Sequence, residues 1–168
     1  MCIEHKLYLM EVIKNFLEKE AFNVLEKEFT DFNKIPFYFR PYVASEEETD
    51  KDFYFTHTIY ENHQPNSDLF VLLTPILTKL NIKGLIRIKL NLYPRTEKLL
   101  NHNPHKDYDY KHKGCIYSLN TCNGFTVLGD TKVPSIANQA LLFDPSIDHN
   151  STTCTDKQAR ININFNYT

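Results

Sequence analysis

Residues 161–167 read Ile-Asn-Ile-Asn-Phe-Asn-Tyr, and this unbroken alternation decides the fold. Successive side chains of a β-strand point to opposite faces, so the stretch predicts a strand with one apolar face and one asparagine face. Five more short β-type runs precede it, beginning at Leu85, Cys115, Phe125, Val133 and Ala140. Turn residues such as Asn123-Gly124 separate these runs. Many short strands at this spacing predict a β-sandwich, a jelly roll or a barrel.

Helices are predicted before Gly84. Apolar residues recur at spacings of three and four over 18–32, which predicts an amphipathic helix. A second apolar segment contains Pro75, which either kinks a helix or begins one that Thr74 caps. The stretch 35–43 carries two prolines, so a strand there is expected at the edge of a sheet.

The composition is that of one ordinary globular domain. The chain has 168 residues, of which 42% are apolar and 24% are charged. We therefore predict a single domain over 1–168, rich in helix over 1–83 and in β-structure over 84–168. The formal net charge of −2 is too balanced for binding nucleic acid through charge, so nucleic acid is not an expected partner. The run SEEETDKD at 45–52 is expected to be a solvated loop.

Cysteine usage and hydropathy favour a cytoplasmic protein. No apolar run approaches the roughly 18 residues that a membrane span needs, and the first ten residues lack the apolar stretch of a signal peptide. None of the four cysteines is spaced as CxxC, so reduced thiols are expected. Cys115 and Cys122 bracket a predicted hairpin and can approach each other, as buried free cysteines.

The candidate site residues begin with His105 and Asp107. On a strand, residues i and i+2 project from one face, so an imidazole and a carboxylate can hold one ion there. His149 follows His105 by 44 residues, just after the run that begins at Ala140, and strands far apart in sequence lie side by side in a jelly roll. Two histidines and one carboxylate with open positions is the arrangement of non-haem Fe(II) oxygenases. Arg160 could offer its planar fork to the carboxylate of an organic acid.

The segment from Leu85 to Tyr167 resembles the Fe(II)- and 2-oxoglutarate-dependent dioxygenases, most closely their prolyl-4-hydroxylase-like branch. The motifs that carry the resemblance follow the family's order: Asn91-Leu92-Tyr93-Pro94, His105-x-Asp107, Cys115-Ile116-Tyr117-Ser118-Leu119-Asn120, Gly124-Phe125-Thr126, His149 and Arg160-Ile161-Asn162. The overall size, with a compact helical N-terminal part, also resembles small oxygenases of marine bacteriophages.

This resemblance implies an α+β fold built on a double-stranded β-helix (a jelly roll, cupin-like) with supporting N-terminal helices. It also implies Fe(II), 2-oxoglutarate and O2 as cofactor and co-substrates, with ascorbate as reductant. The implied site residues are His105, Asp107 and His149 for iron and catalysis, and Arg160, Tyr93 and Asn91 for 2-oxoglutarate. The implied reaction hydroxylates a C–H bond and releases succinate and CO2.

The primary substrate stays open among a prolyl residue, another amino acid, a nucleobase and a small metabolite, with a peptide or small molecule favoured. A catalytically silent jelly-roll module that binds a metal or ligand is the alternative, and it would need no Arg160. A zinc hydrolase is a third reading, although no general-base carboxylate is evident nearby. The segment Pro94–Lys113 is expected to form one lip of the pocket, with Tyr108 and Tyr110 touching an anionic or polar substrate.

Overall fold

Within residues 10–44 and 53–168, which a computed structural model describes, the chain forms two β-sheets, two α-helices and one 3₁₀ helix. The strands are β1 (Glu11–Ile13), β2 (Tyr38–Arg40), β3 (Tyr54–Glu61), β4 (Gln64–Pro65), β5 (Leu85–Pro94), β6 (Lys113–Ser118), β7 (Phe125–Leu128), β8 (Thr131–Pro134), β9 (Gln139–Phe143), β10 (His149–Ser151) and β11 (Ala159–Tyr167). The helices are α1 (Lys19–Phe29) and α2 (Thr74–Lys79), with the 3₁₀ helix at Asp68–Leu73. The loop predicted at 45–52 lies outside the described residues. No described helix has both the length and the apolar character of a membrane span.

The alternating stretch forms β11 and lies in the middle of the larger sheet. In the described residues this sheet runs β1-β9-β6-β11-β5-β3-β2, with β4 paired to β3, and the smaller sheet runs β10-β7-β8. All paired strands are antiparallel. β2 lies at the edge, as the prolines predicted. The predicted β-rich fold with supporting helices is confirmed at this level.

The two faces of the larger sheet differ in polarity. The main core contains the apolar side chains of β11 with those of β5, α1 and α2, namely Ile161, Ile163, Phe165, Tyr167, Ile88, Leu90, Leu25, Phe29 and Ile76. The opposite face carries the asparagines and turns toward the smaller sheet, because Arg160 on this face hydrogen-bonds Thr126 of β7. A second apolar cluster, which includes Ile116 and Leu128, joins the two sheets. The space between the sheets is therefore largely polar away from that cluster.

The proline in the second apolar segment marks a helix start. The 3₁₀ helix ends at Leu73, and α2 begins at Thr74 with Pro75 in its first turn, where the missing N–H breaks no helical hydrogen bond. Leu73 occupies the cap position, and the Thr74 hydroxyl donates to the Val71 carbonyl at 2.8 Å. Of the two readings, the helix start is right, but the expected Thr74 cap is wrong.

Cys115, Cys122 and Cys154 are buried and free. Cys115 packs in the main core, whereas Cys122 lies beside Cys154, with ligand atoms within 4.8 Å of each other. The neighbouring thiol of Cys122 is therefore that of Cys154, and the expectation that Cys115 and Cys122 are buried free cysteines is confirmed. The extended segment that follows β10 runs back past Gly124 and brings Cys154 there.

Asn138 joins the segment before α1 to the larger sheet. Its backbone lies in the left-handed region (φ 60°), which asparagine tolerates better than most residues. Its side-chain oxygen accepts from the Leu17 amide and from the Tyr117 hydroxyl, each at 2.8 Å. Its side-chain nitrogen donates to the Leu17 carbonyl, also at 2.8 Å.

Replacing Asn138 with Ala should lower the free energy of unfolding by about 2–4 kcal/mol. Buried partners lose their hydrogen bonds, and alanine is disfavoured at positive φ. Asn138→Gly is the matched control, since it loses the same bonds without the backbone penalty and should cost less than the Ala variant. Urea denaturation monitored by circular dichroism measures both. A loss below about 1 kcal/mol for Asn138→Ala would contradict this role.

Candidate active site

A backbone bridge holds His105 and His149 side by side. The amide of each donates to the carbonyl of the other, at 2.9 and 3.0 Å, which makes them an antiparallel pair. Residues directly opposite each other in such a pair project their side chains to the same side, and the two ring centroids lie 4.6 Å apart. His149 is the first residue of β10, a strand that no pattern in the sequence predicted.

Asp107 completes the cluster from a loop. His105 and Asp107 lie in the connection between β5 and β6, so the expectation that a strand presents them is wrong. The loop is held instead by the His105 bridge and by the Asp107 amide, which donates to the Pro145 carbonyl at 2.9 Å. Ligand atoms of His105, Asp107 and His149 all lie within 4.8 Å of one another. The predicted triad is thus brought together, and its role as a metal site stays a prediction.

Two side chains of the larger sheet orient the Asp107 carboxylate. Arg87 Nη2 donates to Oδ1 at 3.1 Å, and Asn164 Nδ2 donates to Oδ2 at 3.2 Å. Burial by itself raises the pKa of Asp107, but Arg87, His149, Lys89 and the Asn164 hydrogen bond outweigh it and lower the pKa to about 2. The carboxylate is therefore ionised at neutral pH, which is the form that binds a metal.

The histidines also present the forms that ligation needs. Burial, followed by the neighbouring His149, lowers the pKa of His105 to about 4, so the imidazole is neutral at pH 7. His149 Nδ1 lies 2.9 Å from the Ile147 carbonyl and can only donate there, which leaves the lone pair of Nε2 for a metal. His105 Nδ1 is buried and has no hydrogen-bond partner in the described residues. The donor set fits a divalent transition metal such as Fe(II).

Arg160 is the bulkiest fully buried side chain of the described residues, with 1% of its surface exposed. Nη1 donates to the Thr152 carbonyl at 3.1 Å, and Nη2 donates to the Thr126 hydroxyl at 2.7 Å. Nε has no partner, and no carboxylate pairs with the guanidinium in the part of the chain described. A buried charge without a counter-ion is strongly unfavourable. The buried guanidinium of Arg160 therefore suits an anionic partner.

Tyr93 lies directly opposite Arg160 in the β5–β11 register, and the guanidinium carbon is 5.6 Å from its ring centroid. The Tyr93 ring also stacks on Tyr54 and on His102, at centroid distances of 5.3 and 5.4 Å. Asn91 is buried on the same face, where its Nδ2 donates to Asn162 Oδ1 at 3.2 Å. The structure thus places Tyr93 beside Arg160. Asn91 lies two residues away along β5 and is hydrogen-bonded to Asn162 on the neighbouring strand.

Several residues of this face were missed in the sequence. Arg87 and Lys89 share the polar face of β5 with Asn91 and Tyr93, and their alternation at every second position was the signal that could have found them. In the predicted lip, the Tyr108 ring lies 5.0 Å from the Arg87 guanidinium carbon, while Tyr110 is 51% exposed. Tyr108 therefore packs on the arginine that orients Asp107.

Stability of the metal-free protein should fall as the pH drops from 7 to 5. Burial, followed by Arg160 and His105, lowers the pKa of His102 to about 4. The unfolded chain, with an ordinary histidine pKa, then binds protons first, so stability is lost between about pH 6.5 and 4. His102 should contribute roughly 2 kcal/mol of that loss.

The test compares the free energy of unfolding at pH 7 and pH 5 for the wild type and for His102→Phe. The variant should lose less stability between the two values, because its side chain binds no proton. His63→Phe is the control, since that exposed ring should leave the difference unchanged. An equal pH dependence in all three proteins would refute the buried neutral state of His102.

Solved structures similar to this chain share one kind of fold. The viral collagen prolyl hydroxylase of Paramecium bursaria Chlorella virus-1, in its 2-oxoglutarate complex, is 12% identical with a TM-score of 0.64, covering 94% of each chain. A Trichoplax adhaerens prolyl hydroxylase in complex with a hypoxia inducible factor peptide is 14% identical with a TM-score of 0.66, covering 94% of this chain and 82% of the other. The alpha-ketoglutarate-dependent epimerase SnoN of nogalamycin biosynthesis is 13% identical with a TM-score of 0.68, covering 96% and 78%.

At the level of sequence, no protein-family model and no curated protein matches the chain. The structural likeness extends over nearly the whole chain. It includes two prolyl hydroxylases, one of them in complex with 2-oxoglutarate, and an alpha-ketoglutarate-dependent epimerase. The resemblance predicted from residues 85–167 is thereby confirmed, and the chain has the fold of the 2-oxoglutarate- and Fe(II)-dependent oxygenases.

Proposed function

We propose that the chain is a single 2-oxoglutarate- and Fe(II)-dependent oxygenase domain that hydroxylates a C–H bond. The observation that carries this proposal is the juxtaposition of a His-Asp-His cluster with a fully buried arginine that has no carboxylate partner among the described residues. The two facing sheets are then the double-stranded β-helix of the family. A metal-binding module without catalysis would need the cluster but would gain nothing from the buried Arg160 charge.

His105, Asp107 and His149 would hold the iron, and Arg160 would hold the distal carboxylate of 2-oxoglutarate. Thr152 connects the proposed iron site to Arg160. Its carbonyl accepts a hydrogen bond from Arg160, and it follows His149 by three residues, which is about 10 Å of extended chain. Bound Fe(II) would allow O2 to act as the oxidant: one oxygen atom would enter the substrate, and the other would enter the succinate that forms from 2-oxoglutarate with loss of CO2.

The remaining polar side chains keep this arrangement fixed. Arg87 and Asn164 each occupy one oxygen of Asp107 and so set the orientation of its carboxylate. The Tyr93 hydroxyl would donate to the same carboxylate as Arg160, and Asn91 would line the adjacent wall. Burial of Arg160 and Tyr93 excludes water from that end of the pocket, which strengthens their hold on an anion.

The proposed oxygenase function is compatible with more than one class of substrate. One neighbour holds a peptide fragment, so a prolyl or other amino-acid residue in a peptide is one candidate, and a small molecule is another.

The assay for this function measures succinate formed from 2-oxoglutarate in air with Fe(II) and ascorbate, with and without a metal chelator. We expect slow succinate formation without added substrate that the chelator abolishes. Formation that proceeds equally with the chelator, or no formation at all, would favour the non-catalytic module.

A further inference from the structure

Lys89 is a cation of the polar face that the proposed reaction does not use. It lies between Arg87 and Asn91 on that face of β5, and it pairs in register with Asn164, the residue that donates to Asp107. Through this register, Lys89 lies on the same face as Asn164 and directly opposite it, next to the side chain that orients Asp107.

The Lys89 ammonium makes no ion pair with a described residue. No hydrogen bond or ion pair is made by Nζ there, and its one aromatic neighbour, the Tyr54 ring, has its centroid 6.0 Å away. Burial, followed by the like charge of Arg87, lowers the pKa of Lys89 to about 8, so the group is still mostly protonated at pH 7. An exposed lysine would avoid this desolvation altogether.

The charges at the site do not balance after the proposed co-substrates are counted. Asp107 and one carboxylate of 2-oxoglutarate match the two charges of Fe(II), and the other carboxylate matches Arg160. Arg87 shares Asp107 with the proposed metal through an ion pair of 3.1 Å, and Lys89 makes no ion pair with a described residue, so positive charge remains in excess. Such a surplus next to a reaction centre favours an anionic ligand.

The surplus is not explained by 2-oxoglutarate itself. Arg160 lies opposite Tyr93, and Lys89 precedes Tyr93 by four residues, about 13 Å along β5. A five-carbon acid with one carboxylate at Arg160 has only its other carboxylate near the metal, and the charge count above already assigns that carboxylate to the iron. Asn164, opposite Lys89, lies four residues beyond Arg160 on β11 and contacts Asp107, so Lys89 is displaced from Arg160 toward the metal ligands.

We propose that Lys89, beside Arg87, receives an anionic group of the primary substrate, a carboxylate or a phosphate ester, and holds it next to the reacting carbon. The proposal rests on the oxygenase function above and names the substrate class of the same site. Lys89 then acts as a specificity-determining residue for an acid.

The test uses anaerobic protein loaded with Fe(II) and saturating 2-oxoglutarate, titrated by calorimetry with two matched pairs of probes. N-acetyl-L-proline against N-acetyl-L-prolinamide tests a carboxylate, and phenyl phosphate against phenol tests a phosphate ester. We expect at least one anion to bind tenfold or more tightly than its neutral partner. Lys89→Gln should abolish that preference, and Lys89→Arg should keep most of it.

Lys83→Gln is the matched control, because it removes the same charge from an exposed lysine that precedes β5 and lies outside the predicted lip. This variant should change the preference for the anion less than twofold. Equal losses in the Lys89 and Lys83 variants, or no preference in the wild type, would overturn the proposal. Affinity for 2-oxoglutarate should stay within threefold in Lys89→Gln, since a tenfold loss would assign Lys89 to the co-substrate instead. Failure of the oxygenase function itself would show separately, as a wild type that neither binds nor converts 2-oxoglutarate.

Discussion

Arg160→Ala should raise the apparent dissociation constant for 2-oxoglutarate by about 30- to 4,000-fold while iron content stays near normal. Removing one partner of a buried charge-assisted pair costs ~2–5 kcal/mol, which corresponds to that range. Arg160 makes no contact with the proposed iron ligands: its two hydrogen bonds go to Thr126 and Thr152. The measurement is equilibrium binding of 2-oxoglutarate to the anaerobic iron-loaded protein, with iron determined by elemental analysis.

Two further variants separate the charge of Arg160 from its position. Arg160→Lys keeps the charge but loses the planar fork, so its affinity should fall between wild type and Ala. Gly124→Ala keeps Arg160 but adds a methyl group 2.8 Å from Arg160 Cδ and 2.6 Å from the Thr153 carbonyl oxygen. The backbone contact cannot yield easily, so this variant should also weaken 2-oxoglutarate binding. A change of less than threefold in Arg160→Ala would mean that the acid is held elsewhere.

Asp107→Ala should reduce bound iron to roughly a tenth or less of the wild-type stoichiometry. The variant loses the one anionic ligand of the proposed site, and even loss of an outer-sphere partner typically costs ~10–100-fold in metal affinity. Asp107→Asn is the isosteric companion, because it keeps the volume and leaves less of a void beside Arg87. Elemental analysis after dialysis against limiting Fe(II) gives the stoichiometry.

Asp109→Ala is the control for charge, since Asp109 is an exposed carboxylate two residues farther along the same loop. Its iron content should equal that of the wild type. The iron content of Asn164→Ala should lie between those of Asp107→Ala and the wild type, because Asn164 orients Asp107 without reaching the metal. Unchanged stoichiometric iron in Asp107→Ala would remove Asp107 from the ligand set.

Much of the fold could be predicted because periodicity reports which face of an element is buried. The alternation at 161–167 predicted β11, and the spacing over 18–32 predicted α1. β10 was missed because His149–Ser151 is three polar residues long and has no apolar pattern; it is buried through its pairing with β7. A strand defined by its partner rather than by its own composition leaves little local signal.

The candidate site was predictable in its residues but not in its geometry. His105, Asp107, His149, Arg160 and Tyr93 follow from the family resemblance, and the structure brings the first three together and the last two together. The bridge between His105 and His149 joins residues far apart in sequence, so no local pattern predicts it. The proximity of Cys154 to Cys122 was not predicted for the same reason, because the two residues are far apart in sequence and only the fold brings them together.

The lysine at position 89 was open to prediction and was missed. Arg87, Lys89, Asn91 and Tyr93 alternate with apolar residues along β5 much as the asparagines do along β11. Recognising that these two polar faces adjoin requires knowing that β5 and β11 are neighbouring strands, and no local pattern in the sequence shows this. Charged residues on one face of a strand predict a solvent-exposed face unless it is known that a second sheet packs against it.

The most direct test of the proposed oxygenase chemistry is to run the reaction under ¹⁸O2 and measure the isotope in succinate by mass spectrometry. If the protein oxidises 2-oxoglutarate with O2 at the His105-Asp107-His149 site, each succinate formed should carry one ¹⁸O atom, and Asp107→Ala should form almost none. Succinate without the label would contradict O2-dependent oxidation of 2-oxoglutarate, and labelled succinate at the wild-type rate from Asp107→Ala would contradict the His105-Asp107-His149 site.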